Sequence, residues 1–343
     1  MSCQPSFRQG KVDENTFLFL NVRLIPSLMI SVKDLKIHYG DFVAVDRLTF
    51  AVEKGSVYGL IGPNGAGKTT TIKALATLLE PTYGEINLGD VSVLHNPEEA
   101  RKILGYMPDF PPVYDDLRVD EFCDLFAHAY GLDSNQRKNK VEECLGLTDL
   151  QDKRKALCKS LSRGMKQRAL LAKTLIHDPE VLLLDEPAAN LDPKARIDLR
   201  NLLRKLASEG KTILVSSHVL SELQDLCDAI GIMKDGTMIH SGTIDEIAEK
   251  TNPARTVQVY LTEAFDGIED CLKDFSVISS VHSVDESRKC FEFIHEGTSQ
   301  EEAEVLSSLV EKGAKIYRFE PKQSKVEDLF LQVESENGKG ETG

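Results

Sequence analysis

One stretch of the sequence decides the fold: Val57-Tyr-Gly-Leu-Ile-Gly-Pro-Asn-Gly-Ala-Gly-Lys-Thr-Thr-Thr-Ile72. An apolar run with strand character ends at Ile61, a glycine-rich turn follows, and Lys68 opens a predicted helix. This is the pattern G-x-x-x-x-G-K-[ST] with the strand before it and the helix after it that it requires. Glycines let the backbone wrap closely around a phosphate chain, and a helix N-terminus favours negative charge. The stretch therefore predicts a binding loop for a nucleoside triphosphate.

The positions of this loop have separate predicted roles. Lys68 reaches the terminal phosphates, and the hydroxyl of Thr69 holds Mg²⁺. The alternative interpretation is a glycine-rich turn with a surface lysine, which the full spacing and the correct flanks disfavour. The predicted nucleotide-binding residues of the loop are Gly62, Pro63, Asn64, Gly65, Ala66, Gly67, Lys68, Thr69 and Thr70.

Length and composition set the class of protein. The chain has 343 residues, of which 41% are hydrophobic, so it is long enough for two folded domains. Its formal net charge of −14 argues against a large nucleic-acid-binding surface, and no nucleic acid partner is expected. The 7 cysteines include no C-x-x-C pair, and no histidine spacing suits zinc. We expect a globular protein of a reducing compartment.

The N-terminal segment differs from the rest of the chain. The apolar run from Phe17 to Ile30 is interrupted by polar residues and a proline, so it is a poor membrane span and a poor signal peptide. We expect residues 1–28 to lie outside the fold. One hypothesis places the start of translation at Met29.

Two predicted strands end in residues that suit catalysis. Val181 to Leu184 is an apolar run typical of a strand buried on both faces, and Asp185 and Glu186 follow it directly. A second run, Thr212 to Ser217, leads into His218. Ligands of open α/β sheets bind at the carboxyl ends of the strands, so these three side chains are predicted to lie together near the phosphates. The alternatives are a surface acidic pair and a histidine without a function.

Other segments add an antiparallel sheet and a helical insertion. Ile30 to Val57 alternates as strands do, and Tyr39 lies at a turn where its ring could stack on a purine or only pack on the turn. From about residue 110 to 165 the pattern is helical and amphipathic. This segment leads into Leu161-Ser-Arg-Gly-Met-Lys-Gln-Arg168, in which Ser162 is a predicted N-cap that leaves N–H groups facing outward as a second anion site.

In this order, the motifs resemble those of the ATP-binding subunits of ABC transporters, from Ile30 to about Thr243. The resemblance implies an α/β P-loop NTPase core with a mixed sheet, an antiparallel β subdomain and a helical subdomain. The matching segments are the Walker A motif (Gly62 to Thr69), the ABC signature (Leu161 to Gln167), Walker B (Leu182 to Glu186), the D-loop (Ala189 to Asp192), the switch histidine (His218) and the adenine-stacking aromatic (Tyr39).

The resemblance also implies a mechanism, with ATP and Mg²⁺ as cofactors. Asp185 and Thr69 would arrange the metal ion. Glu186 would polarise a water that attacks the γ-phosphate, and His218 would steady both the water and the phosphate. Glu186 and His218 are therefore the expected catalytic residues, and we expect turnover rather than binding alone.

The resemblance further implies that two such domains sandwich ATP head to tail. Ser162 and Gly164 would contact the γ-phosphate held by the other chain, and Asp192 belongs to the D-loop of the same pair. Because this chain carries one copy of each motif, it needs a second nucleotide-binding domain, and a homodimer is the simplest choice.

Asp109 departs from the family pattern, which has glutamine in the loop before the helical subdomain. Aspartate is also a hard oxygen ligand, so contact with Mg²⁺ is one interpretation. A role in coupling to the membrane partner is the other.

The C-terminal third predicts a second domain. After Asn252-Pro253 the order of patterns is β-α-β-β-α-β, which is the ferredoxin-like split unit of the α+β class. Its role is open between a regulatory or dimer-stabilising appendix and a packing accessory. The predicted domains are an ABC ATPase at 29–250 and this unit at 251–334, followed by a disordered tail at 335–343.

The leading hypothesis is an ATPase subunit that drives a separate integral-membrane permease from the cytoplasmic face of the cell membrane. Val326 to Leu331 resembles the closing helix of exporter ATPases, which favours export. The alternative is a soluble ABC ATPase that acts on ribosomes or DNA. A single Walker A motif and a compact segment between Lys68 and Ser162 count against it. A P-loop kinase would leave the signature without a use.

Overall fold

The structure is a computed structural model, and it describes residues 27–109, 113–189, 191–244, 246–247, 255–265, 267–284 and 289–321. Residues 1–26 of the predicted N-terminal extension lie outside the described residues. The predicted closing helix at 326–331 and the predicted tail at 335–343 also lie outside them. The domain boundary near residue 250 also falls outside them, so the predicted domain limits stay predictions.

Strands and helices alternate through most of the described chain. The strands are β1 (Leu28–Tyr39), β2 (Phe42–Glu53), β3 (Val57–Ile61), β4 (Tyr83–Leu88), β5 (Val91–Ser92), β6 (Leu104–Met107), β7 (Val181–Leu184), β8 (Thr212–Ser217), β9 (Ala229–Lys234), β10 (Thr237–Gly242), β11 (Arg255–Leu261), β12 (Ile278–Ser283), β13 (Cys290–His295) and β14 (Ile316–Pro321). The helices are α1 (Lys68–Leu75), α2 (Pro97–Ile103), α3 (Val119–Ala129), α4 (Ser134–Leu147), α5 (Arg163–Leu175), α6 (Pro193–Ser208), α7 (Ile268–Lys273) and α8 (Ser299–Glu311).

A six-stranded mixed sheet carries the phosphate loop, in the order β10-β9-β3-β8-β7-β6. All neighbours in this sheet are parallel except β9 and β10, which pair antiparallel. Strands β3, β7 and β8 are buried along their whole length, which confirms the burial predicted for β7 and β8. The carboxyl ends of β3, β7 and β8 meet at one edge, so the residues that follow them converge there.

A separate antiparallel sheet has the order β2-β1-β4-β5. Its inner side chains and the apolar face of α1 form one core, which includes Ile30, Val45, Leu48, Ile72 and Ile86. This packing holds the turn between β1 and β2 close to the first turn of α1.

The predicted helical insertion lies between β6 and α5. Helix α3 packs on α4 and α5 around Phe122, Cys144 and Leu170. Asp133 caps α4 by accepting hydrogen bonds from the backbone N–H groups of Asn135 and Gln136. None of the helices within the described ranges has the length and apolar character that a bilayer crossing would require.

The C-terminal residues form a third sheet in the order β12-β13-β11-β14, with all neighbours antiparallel. Together with α7 after β11 and α8 after β13, this is the β-α-β-β-α-β arrangement that the sequence predicted. The sheet and its helices have their own core, built on Val257, Val259, Phe291, Phe293 and Leu309.

Candidate functional site

A cleft of about 370 Å³ opens at the carboxyl edge of the mixed sheet. It brings together the phosphate loop, the residues after β6, β7 and β8, and the turn between β1 and β2. The lining residues are Tyr39, Phe42, Ala44, Asn64, Gly65, Ala66, Gly67, Lys68, Thr69, Thr70, Asp109, Glu186, Ala189 and His218. Residues predicted from five separate parts of the chain therefore share one cavity.

The loop before α1 depends on glycine at positions where the backbone is left-handed. Gly65 has a φ of 86° and Gly67 a φ of 98°. At Gly67, an added Cβ would lie 2.7 Å from the carbonyl oxygen of Ala44. Only glycine fits this conformation and this space without strain. The first turn of α1 follows directly, so its free N–H groups face the cleft.

Lys68 is 5% exposed and lies across the loop. Its Nζ donates hydrogen bonds to the carbonyl oxygens of Gly62, at 2.7 Å, and Pro63, at 3.2 Å. It also lies 3.5 Å from Oε1 of Glu186. Burial lowers the pKa of Lys68, and the charges of Glu186 and Asp185 oppose this shift. Gly62 and Pro63 thus position the lysine through their carbonyl groups and do not line the cleft.

Thr69 and Asp185 meet at the base of the cleft. The hydroxyl of Thr69 donates a hydrogen bond to Oδ1 of Asp185 at 3.1 Å. Asp185 is only 1% exposed, because it directly follows the buried strand β7. A hydroxyl and a carboxylate at this separation are both hard oxygen donors, which suits a divalent cation such as Mg²⁺.

Ser216 connects Asp185 to Glu186. Its hydroxyl donates a hydrogen bond to Oδ1 of Asp185 at 2.7 Å and accepts one from the backbone N–H of Glu186 at 2.9 Å. Ser216 lies on β8, next to β7, and is fully buried. The sequence analysis did not single out this residue. The only signal for it was a hydroxyl near the end of an otherwise apolar strand.

Glu186 and His218 form a pair at the mouth of the site. Nδ1 of His218 is 2.9 Å from Oε2 of Glu186. A carboxylate only accepts hydrogen bonds, so the proton lies on Nδ1 of the imidazole. Glu186 has a φ of 49°, which is rare for a residue with a side chain. Strain of this kind persists only where the surrounding structure holds it, as the Ser216 contact does here.

Asp109 lies in the same cleft as the other two carboxyl groups. Its pKa is raised from the usual value, first by burial and then by the negative charges of Asp185 and Glu186. Arg163 and His218 oppose this shift. Asp109 is therefore close enough to interact electrostatically with a cation at the proposed site, whichever of the two predicted roles Asp109 has.

Two aromatic rings flank the outer end of the cleft. Tyr39 and Phe42 face each other across the turn between β1 and β2, and they are 48% and 64% exposed. Tyr39 was predicted as the residue that stacks on the base, whereas Phe42 was missed. Exposed rings at the end of a phosphate-binding cleft suit a planar base.

Like Gly62 and Pro63, the three residues predicted from the signature and the D-loop do not line this cleft. Ser162 caps α5 by accepting a hydrogen bond from the N–H of Met165 at 3.3 Å, and it is exposed. Asp192 caps α6 by accepting one from the N–H of Ala195 at 2.9 Å. Gly164 lies in the first turn of α5. Within one chain, these residues do not reach the nucleotide cleft.

Comparison with known proteins finds relatives of this chain in both sequence and structure. The family described as ABC transporter matches residues 45–189. An uncharacterized ABC transporter ATP-binding protein of Bacillus subtilis, YxlF, is 33% identical over 89% of this chain and 99% of its own length. The Nod factor export ATP-binding protein I of Burkholderia orbicola is 33% identical over 89% of this chain and 96% of its own length. A dimeric structure of a bacterial ABC transporter cassette, with 25% identity, covers 63% of this chain and 99% of that one at a TM-score of 0.58.

Proposed function

Because this chain belongs to the family of ABC transporter ATP-binding proteins, we propose that it binds and hydrolyses ATP to drive a membrane permease encoded as a separate chain. The observation that carries the proposal is the convergence of Lys68, Asp185, Glu186 and His218 on one cleft beside the phosphate loop. A nucleotide-binding site without turnover would not need the Glu186–His218 pair.

Hydrolysis of the terminal phosphate follows from these positions. The N–H groups at the start of α1 and the ammonium of Lys68 bind the phosphate oxygens and offset the charge that develops on them. The carboxylate of Glu186 accepts a hydrogen bond from the attacking water and orients it in line with the leaving group. His218 holds the side chain of Glu186 through Nδ1, which leaves Nε2 free to contact the γ-phosphate.

The donor set beside the phosphates fits Mg²⁺. Thr69 and Asp185 already share a hydrogen bond, and the pKa of Asp109 is raised first by burial and then by the negative charges of Asp185 and Glu186. Mg²⁺ bound with ATP would neutralise charge on the phosphates. Thr69 and Asp185 are the residues proposed to hold it, and Asp109 is near enough to take part.

A second cassette is part of the proposal. The residues of the signature, Ser162 and Gly164, lie outside the cleft of their own chain, so only another chain can bring such residues to the γ-phosphate. The dimeric cassette to which this chain is similar supports a head-to-tail pair. A homodimer needs no other component.

The transport role is the finer part of the proposal. One named relative is an ABC transporter ATP-binding protein, and the other is named as a Nod factor export ATP-binding protein. Their similarity extends over 89% of this chain, beyond the cassette itself. These names support the proposal that this subunit acts at the cytoplasmic face of the cell membrane, bound to an export permease.

Hydrolysis is tested with Glu186→Gln. This change keeps the size of the side chain and removes its charge, so ATP binding should persist while turnover falls by roughly 100-fold or more, the contribution of a general base. Glu209→Gln, at the exposed end of α6, is the matched control and should hydrolyse ATP at the wild-type rate. Near wild-type turnover in Glu186→Gln would contradict the assigned mechanism.

The transport role is tested by finding what the protein binds. Tagged Glu186→Gln protein, expressed in its native cell, should be found in the membrane fraction and should co-purify with one polytopic membrane protein. Recovery with ribosomes or DNA in the soluble fraction would instead favour the alternative role. Either result leaves the hydrolysis assay interpretable by itself.

A further inference from the structure

We propose that Arg196 and Glu222 are positioning residues that connect the first turn of the signature helix α5 to His218. The inference deepens the proposed function and rests on it, because it concerns how the same hydrolytic site is aligned. The connection runs through the segment before α6, which contains Leu191, and through the segment after β8.

Glu222 holds the residues on either side of His218 through the hydroxyl of Ser217. Its side chain is only 8% exposed. Oε2 of Glu222 accepts a hydrogen bond from the hydroxyl of Ser217 at 2.8 Å. The same hydroxyl accepts one from the backbone N–H of Val219 at 3.0 Å. The buried carboxylate therefore holds Ser217 directly and Val219 through the Ser217 hydroxyl.

Arg196 links this carboxylate to the segment before α6. Its Nε lies 3.6 Å from Oε1 of Glu222 and donates a hydrogen bond to the carbonyl oxygen of Leu191 at 3.0 Å. An added Cβ on Gly164 would lie 3.8 Å from Cδ2 of Leu191, so the leucine side chain packs against the first turn of α5. A continuous path of contacts thus leads from the signature to His218.

The chemistry of the pair explains why it would transmit a displacement. A buried carboxylate that loses its cation is strongly disfavoured, so Glu222 follows Arg196 when the segment at Leu191 moves. A cavity of about 230 Å³ borders both side chains and Ser217, which leaves room for such a shift. Because Nδ1 of His218 contacts Glu186, a displacement of the segment after β8 changes the alignment of the catalytic carboxylate.

The experiment is a double-mutant cycle with Arg196→Gln and Glu222→Gln. Each single change should lower kcat for ATP by roughly 10- to 100-fold, the range expected when a reacting group is misplaced by about 1 Å. The KM for ATP should stay unchanged, because neither residue lines the nucleotide cleft. The double variant should lose no more than either single variant, since both changes break the same link.

Arg200→Gln is the matched control. Arg200 lies one turn further along α6 and pairs with Asp225 at 2.6 Å, but no contact joins it to Leu191 or Ser217 among the described residues. Its kcat should equal that of the wild type. Arg196→Lys keeps the charge beside Glu222 and should recover part of the lost kcat.

A second readout does not depend on turnover. In protein labelled with ¹⁵N-histidine, the His218 signals, assigned with His218→Ala, should report Nδ1 protonation in the wild type and tautomer averaging in Arg196→Gln. Ser217→Ala should give the same averaging, and it serves if Glu222→Gln fails to fold. Unchanged His218 signals in folded Arg196→Gln, or additive losses of kcat, would overturn the inference. A wild-type protein without ATP hydrolysis would instead count against the proposed function, while the His218 signals would still decide the link.

Discussion

The contact of Ser216 with Asp185 and Glu186 gives the sharpest prediction about the site. Ser216→Ala removes one hydroxyl and changes little else, because the residue is fully buried on β8 and alanine fits the same backbone. Asp185 keeps its hydrogen bond from Thr69. The backbone N–H of Glu186 loses its acceptor at 2.9 Å.

The magnitude follows from these two bonds. A hydrogen bond to a charged carboxylate contributes about 1.5–3 kcal/mol, and a buried N–H left without an acceptor costs about 1–3 kcal/mol. Part of this cost is recovered when Glu186 relaxes from its φ of 49°, a conformation that stores about 1–3 kcal/mol. We expect a net loss of about 3 kcal/mol in the free energy of unfolding of the cassette. The same relaxation moves the Glu186 carboxylate, so kcat should fall at least about tenfold.

Urea unfolding followed by circular dichroism measures the stability, and a phosphate-release assay measures kcat. Ser208→Ala is the control, because within the described part of the chain the Ser208 hydroxyl bonds only to the carbonyl of Lys205, at the exposed end of α6. That change should alter the free energy of unfolding by less than about 0.5 kcal/mol. The reasoning is refuted if Ser216→Ala unfolds at the same urea concentration as the wild type with unchanged kcat.

Three further predictions concern the cleft. Tyr39→Ala should weaken ATP binding by about 1–3 kcal/mol, the contribution of one stacked base, whereas Tyr39→Phe should bind ATP as the wild type does. Calorimetry that finds the same ATP affinity in Tyr39→Ala and the wild type would exclude stacking. Gly67→Ala should bind ATP at least about tenfold more weakly, because the added Cβ would crowd the Ala44 carbonyl. Gly210→Ala serves as the control, because Gly210 also has a positive φ but an added Cβ there would meet no neighbouring atom within 4 Å. The folded-state pKa of Asp109 lies above its ordinary value, so the contribution of this carboxyl group to the stability of the nucleotide-free protein increases as the pH falls through that pKa. Asp109→Asn should therefore melt at a higher temperature than the wild type near pH 8 and at the same temperature in acid; a pH-independent difference would contradict this sign.

Most of the fold was predictable because its signals are local. The patterns of β7 and β8 predicted buried strands, and both are buried. The helix at Pro97–Ile103 begins at its proline, where the fixed φ and the missing N–H suit the first turn. The C-terminal order β-α-β-β-α-β was read from alternating patterns, and the sheet order then follows the split arrangement.

The site was predictable only where a motif carries its own spacing. Lys68, Asp185 and His218 stand at fixed places relative to strand ends, so their convergence followed from the topology. Ser216 and Glu222 were not predicted as site residues, because their roles depend on tertiary contacts and not on spacing in the sequence. Ser216 meets Glu186 across two neighbouring strands, 30 residues away in the chain. No local pattern distinguishes such a serine from a buried serine whose hydroxyl only forms a structural hydrogen bond.

The electrostatics of the cleft explain why its residues are held so firmly. Asp109, Asp185 and Glu186 bring three carboxyl groups together, and the pKa of Asp109 is raised first by burial and then by the negative charges of the other two. Lys68 is the cation in contact with Glu186, and burial lowers its pKa. Such an arrangement disfavours the free site, since like charges repel and the lysine has lost much of its hydration. A nucleotide with its cation would supply phosphate oxygens to Lys68 and positive charge to the carboxyl groups. Binding should therefore stabilise the cassette by more than the new contacts alone, because it also relieves repulsion that the fold imposes.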